Sequence, residues 1–168
     1  SDAAFLTLAR NRARWEGKSR LPLPSAENVE KAFDKSATIE LAESLGIPVP
    51  LTRAISSDDD IASAFSACGS PAVVKPRHSA AWKAGKGAFG SVAYAFTEAS
   101  ARRIVRAMRE TFDEYPLLET YVKGPEYGFE CLCRGGEVLA YSAHRRIRSM
   151  SPTGGAGVVK ETVEPDAR

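Results

Sequence analysis

Hydrophobic and polar positions change period several times along the chain, and each change predicts an element. Residues 3 to 16 place Phe5, Leu6, Leu8, Ala9 and Trp15 at helical spacing, and Leu21-Pro22-Leu23-Pro24 then breaks the pattern into an extended linker. Ser25 caps a short helix through Ala26-Glu27-Asn28, and Asp34 caps a second one carrying Ala37, Ile39, Leu41, Ala42 and Leu45 before Gly46 stops it. The rigid Ile47-Pro48-Val49-Pro50 connector leads to a strand at Leu51 to Ile55. A helix follows from Ser57 to Cys68, with Asp58, Asp59 and Asp60 in its first turn where the macrodipole favours them, and then the apolar strand Pro71 to Pro76.

Beyond a glycine-rich stretch, Ser91 to Phe96 alternates as a strand, and Thr97 with Glu98 opens a helix running to Phe112. Leu117 to Val122 is another apolar strand, ended by Gly124-Pro125. Phe129 to Arg134 and Glu137 to Ala143 flank Gly135-Gly136, a two-residue turn signal for an antiparallel hairpin. Gly154 to Val163 reads as a loop and then a strand. Helices come first, then strand, helix, strand, strand, helix and a run of strands, so the predicted class is α+β rather than a regular βαβ sheet.

Composition bounds what such a chain does. At 168 residues, 43% hydrophobic and 26% charged, it is sized and composed as one globular domain, which excludes a disordered chain, a collagen-like fibre and a disulfide scaffold. No apolar run approaches the ~20 residues that span a bilayer, and the start Ser1-Asp2-Ala3-Ala4-Phe5 lacks a signal-peptide layout, so the expectation is a cytoplasmic protein with no membrane partner. Cys131 and Cys133 flank Leu132 on one face of a strand, and with Cys68 are expected to be reduced, structural thiols. A net charge of +2 argues against nucleic acid as the main partner. Arg10 to Arg20 and Arg102 to Arg109 read as solvated helix faces, whereas His144, Arg145, Arg146 and Arg148 are candidates to face a phosphate or a carboxylate, which arginine grips bidentately.

The strongest chemical signal is Lys75, which interrupts an apolar strand just before Pro76 and needs an anion if its cleft is partly dry. Downstream lies Gly85-Lys86-Gly87-Ala88-Phe89-Gly90, spaced so that backbone N–H groups can approach an anion closely. Strand rather than helix follows it, so it is not a dinucleotide fingerprint, and Ser91 after Gly90 breaks the P-loop pattern. What remains is a glycine loop between antiparallel strands that folds over phosphates. Protein kinases use such a loop, but there the lysine follows it, and the chain has no HRD or DFG string.

Taken in order, Asp34-Lys35 with its helix, Gly46 to Pro50, Pro71 to Pro76, the glycine loop and Leu118-Glu119-Thr120-Tyr121-Val122-Lys123-Gly124-Pro125-Glu126 resemble the ATP-grasp superfamily, over roughly residues 25 to 165. Arg145 to Glu164, with Pro152-Thr153-Gly154-Gly155 and Glu161-Thr162-Val163-Glu164, look most like the carbamoyl-phosphate-synthase-like carboxylate–amine ligases within it. The resemblance implies an ATP-grasp-like fragment: residues 1–24 as a helix and linker, 25–70 as helical entry, 71–118 as an antiparallel lid subdomain with helices, and 119–168 as the adenine hinge and first strands of a second subdomain. It implies that Lys35 reaches the nucleotide's phosphates and that Lys75 contacts phosphates and adenine. Gly85, Lys86, Gly87, Gly90 and Ser91 would close over the phosphates, Glu119, Tyr121 and Val122 would bind the adenine edge, and Glu126 would accept the ribose hydroxyls. Arg145, Arg146 and Arg148 are the implied substrate or phosphate contacts.

The implied reaction is ATP-dependent activation of a carboxylate as an acyl phosphate, followed by attack of an amine or a thiol, with magnesium bridging the phosphates. The family's magnesium ligands, an acidic residue and a Glu-x-Asn-type pair, are not found after Glu137, so they are expected outside this chain. The expectation is therefore the ATP-binding part of a ligase that does not turn over by itself. Two other classes stay open: a non-catalytic nucleotide-binding or interaction module, and a basic RNA-associated domain using its arginine clusters.

Overall fold

The computed structural model describes residues 2–83, 86–151 and 154–165. They fall into two compact units, Ser1–Tyr121 and Val122–Arg168.

The first unit opens with three short helices, α1 (Asp2–Arg10), α2 (Ala26–Phe33) and α3 (Lys35–Ser44). Helix α1 ends earlier than its apolar spacing predicts, with a single 3₁₀ turn at Arg12–Arg14 taking over. Arg12 directs its guanidinium into the carbonyls of Leu23 and Pro24, which ties that turn to the linker. Ser25 caps α2 as predicted, accepting from the Asn28 N–H at 3.2 Å, but the helix runs on past Asn28 to Phe33 because Val29 is buried and Phe33 meets Phe5. Asp34 caps α3 through the N–H groups of Ser36 and Ala37, and Gly46, at φ +70°, supplies the left-handed residue that ends it.

A four-stranded sheet forms the body of this unit, in the order β1 (Thr52–Ala54), β6 (Leu117–Thr120), β2 (Ala72–Lys75), β5 (Ala93–Ala95), with every neighbouring pair antiparallel. Helix α4 (Asp60–Cys68) connects β1 to β2, and α5 (Glu98–Phe112) connects β5 to β6, so the two crossovers interleave. Both helices cover one face. Ile61, Ala64 and Cys68 of α4 and Ala101 and Val105 of α5 pack against Ala72, Val74, Ala95 and Leu118 of the sheet. Strand alternation selects those four: Ala72 and Val74 are two apart, and their cross-strand partners Ala95 and Leu118 share their face.

The start of α4 corrects the reading of its three aspartates. Only Asp60 lies in the first helical turn. Its carboxylate accepts from Ser56 Oγ and from the N–H groups of Ser56 and Ser57, and these bonds lower its pKa to about 2. Asp58 instead accepts from the Tyr115 hydroxyl at 3.1 Å and lies within 4.0 Å of both Arg106 and Arg109. Helix α5 begins as predicted, with Thr97 and Ser100 forming a reciprocal capping box.

The glycine-rich stretch is not a loop throughout. Lys86–Phe89 is itself a strand, β4, paired antiparallel with β3 (Ala80–Lys83) in a separate two-stranded sheet. Gly85 lies outside the described residues.

The second unit is an antiparallel meander of β7 (Tyr127–Arg134), β8 (Glu137–Ser151) and β9 (Gly154–Val163). Gly135 and Gly136 make the β7–β8 turn with φ +60° and +86°, both positive as a type I′ turn requires. Strand β8 continues well past Ala143, because β9 pairs along its far half, and β9 is strand from Gly154 onward where a loop was expected first. Cys131 and Cys133 do share a strand, but both are exposed and belong to no core; Cys68 alone of the three thiols is buried.

Candidate functional site

In the first unit the sheet's other face carries the candidate chemistry. Val73 and Lys75 alternate away from the helices, and their partners across the ladder are Glu119 and Leu117. Lys75 Nζ reaches diagonally to Glu119 Oε2 at 2.5 Å. The carboxylate side chain is only 5% exposed and the lysine side chain 24%, so one end of the pair is buried and the other opens outward. A buried carboxylate needs such a partner, since its desolvation costs several kcal/mol when nothing offsets it. An ammonium has three donors, so Glu119 holds Lys75 in place while leaving capacity for a further acceptor.

Tyr94 belongs to the same face, because it pairs with Val73 on the opposite side of β2. Its ring meets Tyr121 edge-on, with centroids 5.8 Å apart and planes at 79°. Glu119 and Tyr94 thus flank Val73 on this face, with Lys75 toward one end of β2, level with Leu117, and Tyr121 beyond Thr120 toward the other. Tyr121 was foreseen and Tyr94 was not; only knowing that β5 lies beside β2 turns its place in a strand into a place on this face.

The link from β2 to β3 is anchored at several points. Lys35, expected at phosphates, donates its Nζ to Ser79 Oγ at 2.9 Å and its backbone N–H to Arg77 O at 3.1 Å. Arg77 bonds Asp34, and the His78 N–H and ring Nδ1 both face the Glu114 carboxylate, at 3.2 and 3.0 Å. His78 is therefore half-buried beside a carboxylate. Gly90 closes the base of the β3–β4 hairpin, its N–H donating to Ser79 O at 3.0 Å. A Cβ there would lie 2.3 Å from Pro76 Cγ and 2.7 Å from Phe112 Cζ, so packing alone demands glycine. Gly87 pairs with Trp82 within that hairpin, Lys86 with Lys83, and Ser91 is exposed just beyond it.

In the second unit the basic cluster is matched by carboxylates. Arg146 Nη1 meets Glu126 Oε2 at 2.5 Å, Arg145 Nη2 meets Glu161 Oε2 at 2.7 Å, and His144 Nδ1 lies 3.0 Å from Glu130 Oε2. Glu126, expected at ribose, thus accepts from an arginine expected at phosphate. His144 is buried against Gly128, where a Cβ would come within 2.3 Å of its ring. Val122 and Arg148 are exposed in this unit, and Pro152 and Thr153 lie outside the described residues.

No family model matches the chain. It is 32% identical over 110 residues to the D-alanine–D-alanine ligase of Pseudomonas putida (strain GB-1), covering 64% of this chain and 31% of that protein. It is 31% identical over the same length to the enzyme of that name from Pseudomonas entomophila (strain L48). The chain thus spans about a third of the length of these relatives, 31% in each case. Among solved structures, an L-amino acid ligase from Bacillus licheniformis superposes with a TM-score of 0.65 at 19% identity, over 90% of this chain and 32% of that one. N5-carboxyaminoimidazole ribonucleotide synthetase from Thermus thermophilus gives 0.56 at 26% identity, over 83% and 35%.

Proposed function

We propose that the chain is part of an ATP-grasp domain and supplies adenine and phosphate contacts to an ATP-dependent ligase that joins a carboxylate to an amine through an acyl phosphate. The observation that carries this reading is the Lys75–Glu119 pair. A lysine donor is fixed by a buried carboxylate from the neighbouring strand, on the sheet face that also holds Tyr94 and Tyr121. Lys75 binds a phosphate oxygen, and Glu119 positions its ammonium. The aromatic pair offers a surface on which a flat base can stack. Lys35, Gly85, Lys86, Gly87, Gly90 and Ser91 are the proposed phosphate-side residues, Tyr121 and Val122 the adenine-edge residues, Glu126 the ribose contact, and Arg145, Arg146 and Arg148 the substrate or phosphate contacts.

ATP is the substrate in this reading and magnesium its counter-ion. Among the described residues, no three or more His, Cys, Asp or Glu side chains gather to hold a cation, and this reading places the ion's protein ligands outside this chain. What the chain's own residues do is bind and orient: Lys75 neutralises charge on the phosphate side, while Glu119 fixes where that charge sits.

Amide chemical shifts recorded during an ATP titration test the reading. The expected result is saturating movement at Lys75, Glu119 and Tyr121 that Lys75→Met abolishes. Absence of movement at these residues, or movement that survives the substitution, overturns it.

A further inference from the structure

Chemistry outside the nucleotide reading is concentrated at Cys131 and Cys133. The two lie on one face of β7, are both exposed, and have their sulfurs 3.6 Å apart, with the Cys133 S–H donating to Cys131 Sγ. Among the described residues β7 pairs only with β8, so it is an edge strand. The ladder slips beside the pair: Leu132 opposes Ala140 but Cys133 opposes Val138, leaving Leu139 as the extra residue of a bulge on β8. Such a bulge leaves a residue unpaired, disrupts the ladder locally and raises the local twist. Tyr141, opposite Cys131, is stacked on Phe129 with centroids 5.7 Å apart, so the thiols border an aromatic patch. Cys68 differs in every respect, being buried with its sulfur against the Leu118 carbonyl at 3.5 Å.

We propose that Cys131 and Cys133 form a redox-active dithiol that exchanges with small-molecule disulfides of the glutathione type and closes to a disulfide within β7. In the first step the thiolate of Cys131 attacks one sulfur of the external disulfide. That S–S bond breaks, a mixed disulfide forms, and the displaced thiolate takes up a proton. The Cys133 thiolate then attacks the Cys131 sulfur and displaces the second small thiol, which is protonated in turn. The protein gives up two protons and two electrons, and the external disulfide is reduced to two thiols. Contact with Cys131 holds the Cys133 thiol above its ordinary range. Ring closure outruns a second adduct because the resolving sulfur is already 3.6 Å away, and it has to move in to ~2.05 Å where the ladder is locally disrupted.

The experiment incubates the 168-residue chain with oxidised glutathione under native conditions, quenches with acid and reads intact mass and peptide-level alkylation. Wild type is expected to lose two hydrogens, with Cys131 and Cys133 unlabelled and linked and Cys68 still alkylated after unfolding. Cys131→Ser and Cys133→Ser are each expected to stop with one glutathione retained, and Cys68→Ser to behave as wild type. A wild type that keeps glutathione on either or both exposed cysteines, that does not react, or that links two chains overturns the proposal.

Discussion

Arg77 grips Asp34 through two nitrogens, with Nε 2.8 and 2.9 Å from the two carboxylate oxygens and Nη2 2.5 Å from one of them. The same carboxylate caps α3 through the Ser36 and Ala37 N–H groups. A single side chain therefore starts a helix and fastens it to the link that follows the Lys75 strand.

Asp34→Ala is expected to cost about 1–2 kcal/mol, the sum of a lost cap and a partly exposed ion pair. The Arg77 hydrogen bond leads the effects that hold the Asp34 carboxyl below its ordinary value of 3.8, outweighing burial. A depressed folded pKa means that the contribution is complete above the unfolded value and is lost as pH falls through the folded one. Urea midpoints of wild type and variant should differ at neutral pH and converge only at pH below the ordinary aspartate range. A difference unchanged into strong acid contradicts the assignment.

Lys75→Met strips the partner from a carboxylate side chain that is 5% exposed, with an expected loss of about 3 kcal/mol. Adding Glu119→Gln removes the stranded charge and is expected to restore much of that loss. Chemical denaturation of the four members of the cycle measures the coupling, and additive losses would show that the two side chains do not act as a pair.

Gly90→Ala forces a methyl group into Pro76 and Phe112 and is expected to destabilise by about 1–3 kcal/mol even without nucleotide. Phe112→Ala in the Gly90→Ala background should relieve the clash with the ring. Thermal melts of the single and double variants decide it: an unchanged Tm for Gly90→Ala would mean that the hairpin base is not packed as described.

Thr97→Ala breaks the reciprocal cap of α5, with an expected cost of about 1 kcal/mol. Because Ala101 and Val105 of that helix are fully buried in the sheet core, the loss should register in global unfolding rather than as local fraying. Hydrogen exchange confined to the first turn of α5 would argue otherwise.

Local chemistry was readable before any contact was known. Ser25, Asp34 and Thr97 start helices because their side chains satisfy N–H groups a few residues away, and Gly135-Gly136 turns a hairpin because both positions need positive φ. Lys75 stood out because a charge inside an apolar strand requires a partner. The glycine stretch was misjudged as loop throughout, because glycine weakens a strand's local signal while pairing with β3 supplies hydrogen bonds that no local rule counts. Likewise, Arg145 and Arg146 advertised an anion, but spacing alone does not reveal that Glu161 and Glu126 reach them.

The sequence by itself determined the caps of α2, α3 and α5, the glycine turn between β7 and β8, and that a lysine-bearing strand and a glycine-rich stretch belong to an α+β chain. Tertiary structure alone decided the partners: β6 and β5 on either side of β2, which place Glu119 beneath Lys75 and Tyr94 beside them. The reason is physical. Caps, turns and alternation act over a few residues, whereas strand order is set by burying Ala72, Val74, Ala95 and Leu118 under α4 and α5, a choice made across the whole unit.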